Sequence, residues 1–181
     1  MVRIPSEYQE VEYLESTGTQ YINTGVVINK DDSSRNCIIT IDSMNVSLRE
    51  GSSNILVGYG YTAGTWFGLS TSNKLTLGGN IDFSTSPFIR TTKIITYNAT
   101  GITVSIDSET KVRNGGAATN SIYLFGLSFD YQSKARVFSV SIYMSDVLIQ
   151  NLIPCYRKSD QEPGMYDTVS KTFFTNSGTG T

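Results

Sequence analysis

The chain has 181 residues, of which 14 are Lys or Arg and 16 are Asp or Glu, for a formal net charge of -2. At roughly 100–200 residues per domain it reads as one domain spanning 1–181, without the ~20 consecutive apolar residues of a membrane-spanning helix or the basic run of a nucleic-acid binder. Neither membrane insertion nor a nucleic-acid partner is expected, and the absence of histidine removes every Ser-His, Cys-His and His-metal arrangement at once.

Ile and Val total 29 residues against 15 for Leu and Ala, and Ser, Thr and Asn make up 56. Residues that suit pleated, half-buried surfaces therefore outnumber the best helix formers, so the expected class is all-β. In chain order, strand patterns fall at 37–42, 54–59, 65–70 and 74–77, then at 93–97 and 102–107 flanking the short polar connection Asn98-Ala99-Thr100-Gly101 as a hairpin. The segment 121–129 is apolar on both faces and belongs in the middle of its sheet. The cleanest alternation comes near the end, where Phe138, Val140, Ile142 and Met144 interleave with Ser139, Ser141, Tyr143 and Ser145. Turn chemistry separates these runs at Asp31-Asp32-Ser33-Ser34, Thr71-Ser72-Asn73, Gly78-Gly79-Asn80 and Asn114-Gly115-Gly116. About ten short strands with no helical period predict two antiparallel sheets packed face to face. Phe138, Val140, Ile142, Ile102, Val104, Ile106, Leu124 and Ile39 should form the core, with flexible ends at about 1–6 and 176–181.

Cys37 and Cys155 have no metal-ligand spacing and lie in apolar surroundings, which favours two buried free thiols over a disulfide. The opening residues Met1 to Pro5 lack the 7–15-residue apolar core of a secretory signal.

Both ends of the chain carry recognisable wording. Residues 8–25 (YQEVEYLESTGTQYINTG) resemble the opening strand pair of concanavalin A-like, laminin G-like jelly-roll domains of gut bacterial surface proteins and bacteriophage structural proteins. Residues 136–144, 151–158 (NLIPCYRK), 164–167 (GMYD) and 173–176 (FFTN) are similar to that family's closing strands. The resemblance implies a jelly-roll β-sandwich and leaves the ligand open, because the loops across 60–86 match nothing nameable. In the closing segment, Tyr156, Arg157 and Asp167 are read as structural, with an Arg stacked on Tyr and paired with a carboxylate fastening the terminal strands.

Three constellations bear on function. Glycosidases of the laminarinase type share the implied fold and carry an E-x-D-x-x-E strand whose paired carboxylates perform retaining hydrolysis. Glu10-Val11-Glu12-Tyr13-Leu14-Glu15 imitates that spacing with Glu in the central position, and is read instead as a solvent-facing row of acids on an edge strand. Asp31, Asp32 and Asp130 are loop acids without the D-x-D-x-D-G run of a calcium loop, so no metal and no cofactor is expected. Aromatics make the third: Tyr59, Tyr61 and Trp66, interleaved with glycine, would offer stacking faces to a sugar, with Asn80, Asp82 and Tyr131 as weaker polar or aromatic neighbours. The competing reading makes Tyr59 and Trp66 ordinary inner-face strand residues.

These readings lead to a non-enzymatic module of a bacteriophage virion, structural or host-recognising, whose partners are other virion proteins. The alternative is a lectin-like module of a bacterial surface protein that binds cell-surface glycan. Virion-borne copies are expected to associate, since symmetric positions and multivalency raise avidity.

Overall fold

The computed structural model describes residues 4–28, 36–47, 54–59, 65–98, 101–114, 119–127 and 131–179, and among them every regular element is a strand. In chain order these are β1 Tyr8–Glu10, β2 Leu14–Thr17, β3 Ile22–Ile28, β4 Cys37–Ser47, β5 Asn54–Gly58, β6 Trp66–Leu69, β7 Leu75–Leu77 and β8 Ile81–Asp82. The second half holds β9 Thr91–Asn98, β10 Gly101–Ile106, β11 Glu109–Asn114, β12 Asn120–Leu124, β13 Lys134–Met144, β14 Val147–Arg157, β15 Pro163–Asp167 and β16 Phe173–Thr175. They form two antiparallel sheets. The ten-stranded sheet runs β11-β10-β9-β4-β13-β14-β15-β16, with β1 paired to β14 and β2 to β13, and the six-stranded sheet runs β3-β12-β5-β6-β7-β8.

The sheets pack face to face as a β-sandwich because each supplies one apolar face of alternating residues. Ile39 and Ile41 on β4, Ile95 and Tyr97 on β9, Ile102, Val104 and Ile106 on β10, and Val140 and Ile142 on β13 meet Leu56, Phe67, Leu75, Ile122 and Leu124 of the smaller sheet. The apolar segment at 121–129 contributes β12, which lies between β3 and β5 inside its sheet, and the strand ends where Phe125 adopts a φ of 64°. The hairpin expected across 98–101 joins β9 to β10, with the Gly101 amide donating to the Asn98 side chain at 3.1 Å. A side chain at Gly101 would meet the Arg113 carbonyl at 2.1 Å, so close approach of β11 demands glycine there.

One expected core residue is displaced. Phe138 is half-buried rather than buried, because the β13–β4 register shifts between Val137 and Ser139. This bulge makes Val137 and Val140, three positions apart, both inner-facing members of the core. Phe138 instead lies with Tyr13 at 5.7 Å between ring centroids, and the Arg90 guanidinium sits 3.8 Å over its ring. Cys37 and Cys155 are free and buried, and burial pushes their thiols up to about 12 and about 11.

Candidate functional site

The proposed aromatic platform divides across the structure. Tyr59 is 1% exposed and Trp66 3% exposed, so neither offers a free ring face. Tyr59 points between the sheets, 5.0 Å from Tyr97 at an edge-to-face angle of 70°. Phe67 enters the main core, so its neighbour Trp66 faces the other side of β6, where it packs with Ile55 and Leu127 beneath half-buried Tyr123 and Tyr131. Trp66 and Tyr131 therefore do come together, as a covered apolar cluster. Tyr61 lies outside the described residues.

Asn80 and Asp82 serve the rim of the smaller sheet. Arg113 of β11 donates both to the Gly78 carbonyl, at 3.1 Å, and to Asn80 Oδ1. Glu109, two turns of the same pleat away, accepts from the Ser84 amide and hydroxyl at 2.8 Å each and pairs with Lys111 at 2.8 Å. Lys111 and then Ser84 hold that carboxyl down to about 2. The inward side of β11 thus clasps the β7–β8 region and closes one edge of the sandwich. Asp82 sits opposite Thr76 and forms a 3.7 Å ion pair with Lys74.

The acidic run imitating a glycosidase strand does not lie on one strand. Glu10 ends β1 and pairs opposite Cys155 on β14, whereas Glu15 is in β2 opposite Arg136 on β13. Glu15 bonds Arg136 at 2.6 Å and Glu12 reaches Arg90 at 3.8 Å. Glu10 thus lies on a different strand pair from Glu15, and Glu15 is held in an ion pair with Arg136. The loop acids Asp31, Asp32 and Asp130 lie outside the described residues.

What sequence reasoning missed is the place where the two motif-bearing ends meet. A cleft of about 260 Å³ is lined by Leu14, Glu15, Ser16 and Thr17 of β2, by Gln20, Ile22 and Phe125, and by Glu162, Pro163 and Asn176. Its wall is built by local bonding. Gln20 Oε1 accepts from the Thr17 amide at 2.9 Å and from the Ser16 hydroxyl at 3.2 Å, shaping the turn after β2. Asn176 Oδ1 accepts from the amides of Tyr21 and Gly178, at 3.2 and 2.7 Å, and the Ser177 amide donates to the Tyr21 carbonyl. The residues at 176–178, expected as a flexible exit, are in fact tied to the start of β3. A side chain at Gly178 would meet the Thr19 carbonyl at 2.4 Å, so glycine allows the closing segment to lie against the opening turn. The available signal was the shared density of Ser, Thr, Asn and Gly at both ends.

The closing strands are fastened as expected, but by different partners. Arg157 forms its carboxylate pair with Asp160, at 2.6 Å, and lies 5.5 Å from the Phe173 ring rather than pairing with Asp167. An Arg over a Tyr with a carboxylate partner does occur, as Arg136 over Tyr13 with Glu15. Asp167 is fully buried and accepts from the amides of Asn151, Val169 and Ser170 and from the Ser170 hydroxyl, joining β14 to the β15–β16 hairpin.

No protein-family model, curated protein or solved structure matches this chain.

The outer face of the larger sheet presents two neutral rows. Register places Val112, Thr103, Thr96, Ile38, Tyr143 and Leu148 in one row across β11, β10, β9, β4, β13 and β14. Thr110, Ser105, Ile94, Thr40, Ser141 and Asn151 form the neighbouring row. Neither row contains a charged residue. Val112 is 56% exposed and Ile94 45% exposed, and Leu148 is also exposed.

Proposed function

We propose that this chain is a non-enzymatic binding and assembly module, a concanavalin A-like jelly roll that serves as a structural or host-recognition component of a bacteriophage virion. Two neighbouring uncharged rows on the outer face of the ten-stranded sheet carry the reading, with Val112, Ile94 and Leu148 exposed among them. Exposed apolar residues set among partly exposed neutral ones, with no charge between them, are the make-up of an interaction surface, and depletion of charge is the compositional signature of an interface centre. The terminal motifs that resemble virion and surface jelly rolls support it from the sequence side. The burial of Tyr59 and Trp66 weighs for protein contact over sugar stacking, since a glycan platform needs open ring faces.

The partner on this reading is another virion protein or a further copy of the chain. Mass spectrometry of purified phage particles should find the chain in many copies, and Ile94→Glu should fold normally yet fail to be incorporated. Absence from particles, or incorporation of Ile94→Glu at the level of the parent, would overturn the proposal. A glycan array probed with a multimerised form should be blank.

A further inference from the structure

The cleft between β2 and the closing segment combines a buried apolar wall with acidic groups. Ile22 and Phe125, both members of the core, form its deep side, while half-buried Leu14 and exposed Pro163 line its flanks. Its volume of about 260 Å³ falls just under the range of about 300–1,000 Å³ for drug-sized ligands. A dry cavity of about 150 Å³ accepts a benzene molecule, so this cleft has room for one ring or short chain with a polar head.

Charge decides what that head is. Two acids, Glu15 and Glu162, line the cleft, and no Lys or Arg does. Arg136 pairs with Glu15 Oε2 at 2.6 Å and offsets one of the two charges. Glu162 has no ion-pair partner among the described residues and acts on Arg157 only at longer range. Its main chain is nevertheless held at both polar groups: the amide donates to Asp160 Oδ1 at 3.3 Å, and the carbonyl accepts from the Arg157 amide at 2.9 Å. Nearby cations are engaged elsewhere, Arg157 with Asp160 at 2.6 Å and Lys158 with the Ser6 carbonyl at 2.8 Å, and Lys134 lies beside Gly18, outside the lining. The neutral acceptors Gln20 Oε1 and Asn176 Oδ1 already take bonds from the main chain. One uncompensated carboxylate therefore stands at a small apolar cleft, which suits a cation carried on an apolar body.

We infer that this cleft is a binding site for a protonated primary amine on a short apolar stem or ring, with the ammonium at Glu162 and the stem against Ile22, Phe125 and Pro163. The ammonium donates to the Glu162 carboxylate in a charge-assisted bond, and the stem covers apolar surface at the mouth of the sandwich. This inference does not depend on the proposed virion role.

Titration of the parent protein with phenethylammonium chloride, followed by amide NMR, provides the test. Saturable shifts are expected at Ile22, Phe125 and Glu162, and phenethyl alcohol, which keeps the ring and loses the charge, should bind about tenfold more weakly. Glu162→Gln should weaken the amine by about the same factor and leave the melting temperature unchanged, since no ion pair among the described residues is lost. Acetyl-lysine amide is the second probe. Shifts with it at the same residues assign the amine to a side chain of a partner protein, and shifts with phenethylammonium alone assign it to a free molecule; either result supports the site. No saturable shift with either amine, equal binding of the alcohol, or undiminished binding to Glu162→Gln would overturn the inference.

Discussion

Replacing Asp167 by Ala removes the acceptor of four hydrogen bonds at once. Two run to Oδ1, from Asn151 N at 2.8 Å and Val169 N at 3.0 Å, and two to Oδ2, from Ser170 N at 3.1 Å and Ser170 Oγ at 2.6 Å. Bonds to a charged acceptor are each worth about 1.5–3 kcal/mol, and buried amides left unpaired cost about 1–3 kcal/mol. The bonds share one carboxylate and do not add fully, so the expected loss for Asp167→Ala is about 3–5 kcal/mol. Asp167→Asn keeps an Oδ1 for Asn151 and Val169 but presents N–H groups to the Ser170 amide, and should lose about 1–2.5 kcal/mol. Urea unfolding followed by fluorescence measures both, with the slope expected to stay constant and the midpoint to fall. Burial raises this carboxyl, but the bonds from Ser170, Asn151 and Val169 outweigh it and hold the group below its ordinary value. A depressed carboxyl contributes stability that is present above its unfolded value, about 3.9, and that is lost as pH falls through the folded value. The gap between parent and Asp167→Asn should therefore be full at pH 7 and shrink below about pH 4. A loss under 1 kcal/mol for Asp167→Ala, or a gap unchanged between pH 7 and pH 3, would refute the reasoning.

Trp66→Ala should destabilise by about 3–5 kcal/mol through loss of the cluster with Ile55 and Leu127, read as a lower midpoint in thermal unfolding; an unchanged midpoint would contradict its burial. Val140→Asp buries an unpaired charge in the core and should yield insoluble protein, whereas Ser139→Asn, on an exposed position of the same strand, should shift stability by less than about 0.5 kcal/mol. Gly68→Ala would set a Cβ 1.9 Å from the Asn54 carbonyl, so β5 and β6 must separate, at a cost of at least about 1–3 kcal/mol by the same unfolding assay. Both thiols should resist an aromatic disulfide reagent at pH 8 in the native state and react fully in denaturant, because burial holds them largely protonated and covered.

Alternation along β4, β9, β10 and β13 made the inner face readable from composition and period alone, since a two-residue repeat follows from backbone geometry wherever one face is dry. Turn residues likewise marked the β6–β7, β7–β8 and β9–β10 connections, because left-handed or tight conformations restrict which residues fit. Phe138 escaped that logic. A bulge is a relation between two paired strands, and only the register of β13 against β4 shows that the apolar phase skips a residue there. The aromatic stretch around Tyr59 and Trp66 shows the same limit, for a ring flanked by glycines reads as a platform until the strands and segments that cover it are known. Lys93 is a further case: by composition it is a solvated charge, and its burial against Ser43 and Thr91 arises only when β4 and β9 pair. The cleft between the ends depends on Gln20 and Asn176, 156 positions apart in sequence, which meet because β2, β3 and the closing strands converge at one end of the sandwich. Local chemistry thus determined which residues face inward and where the chain turns, while long-range pairing decided which polar groups share a neighbourhood.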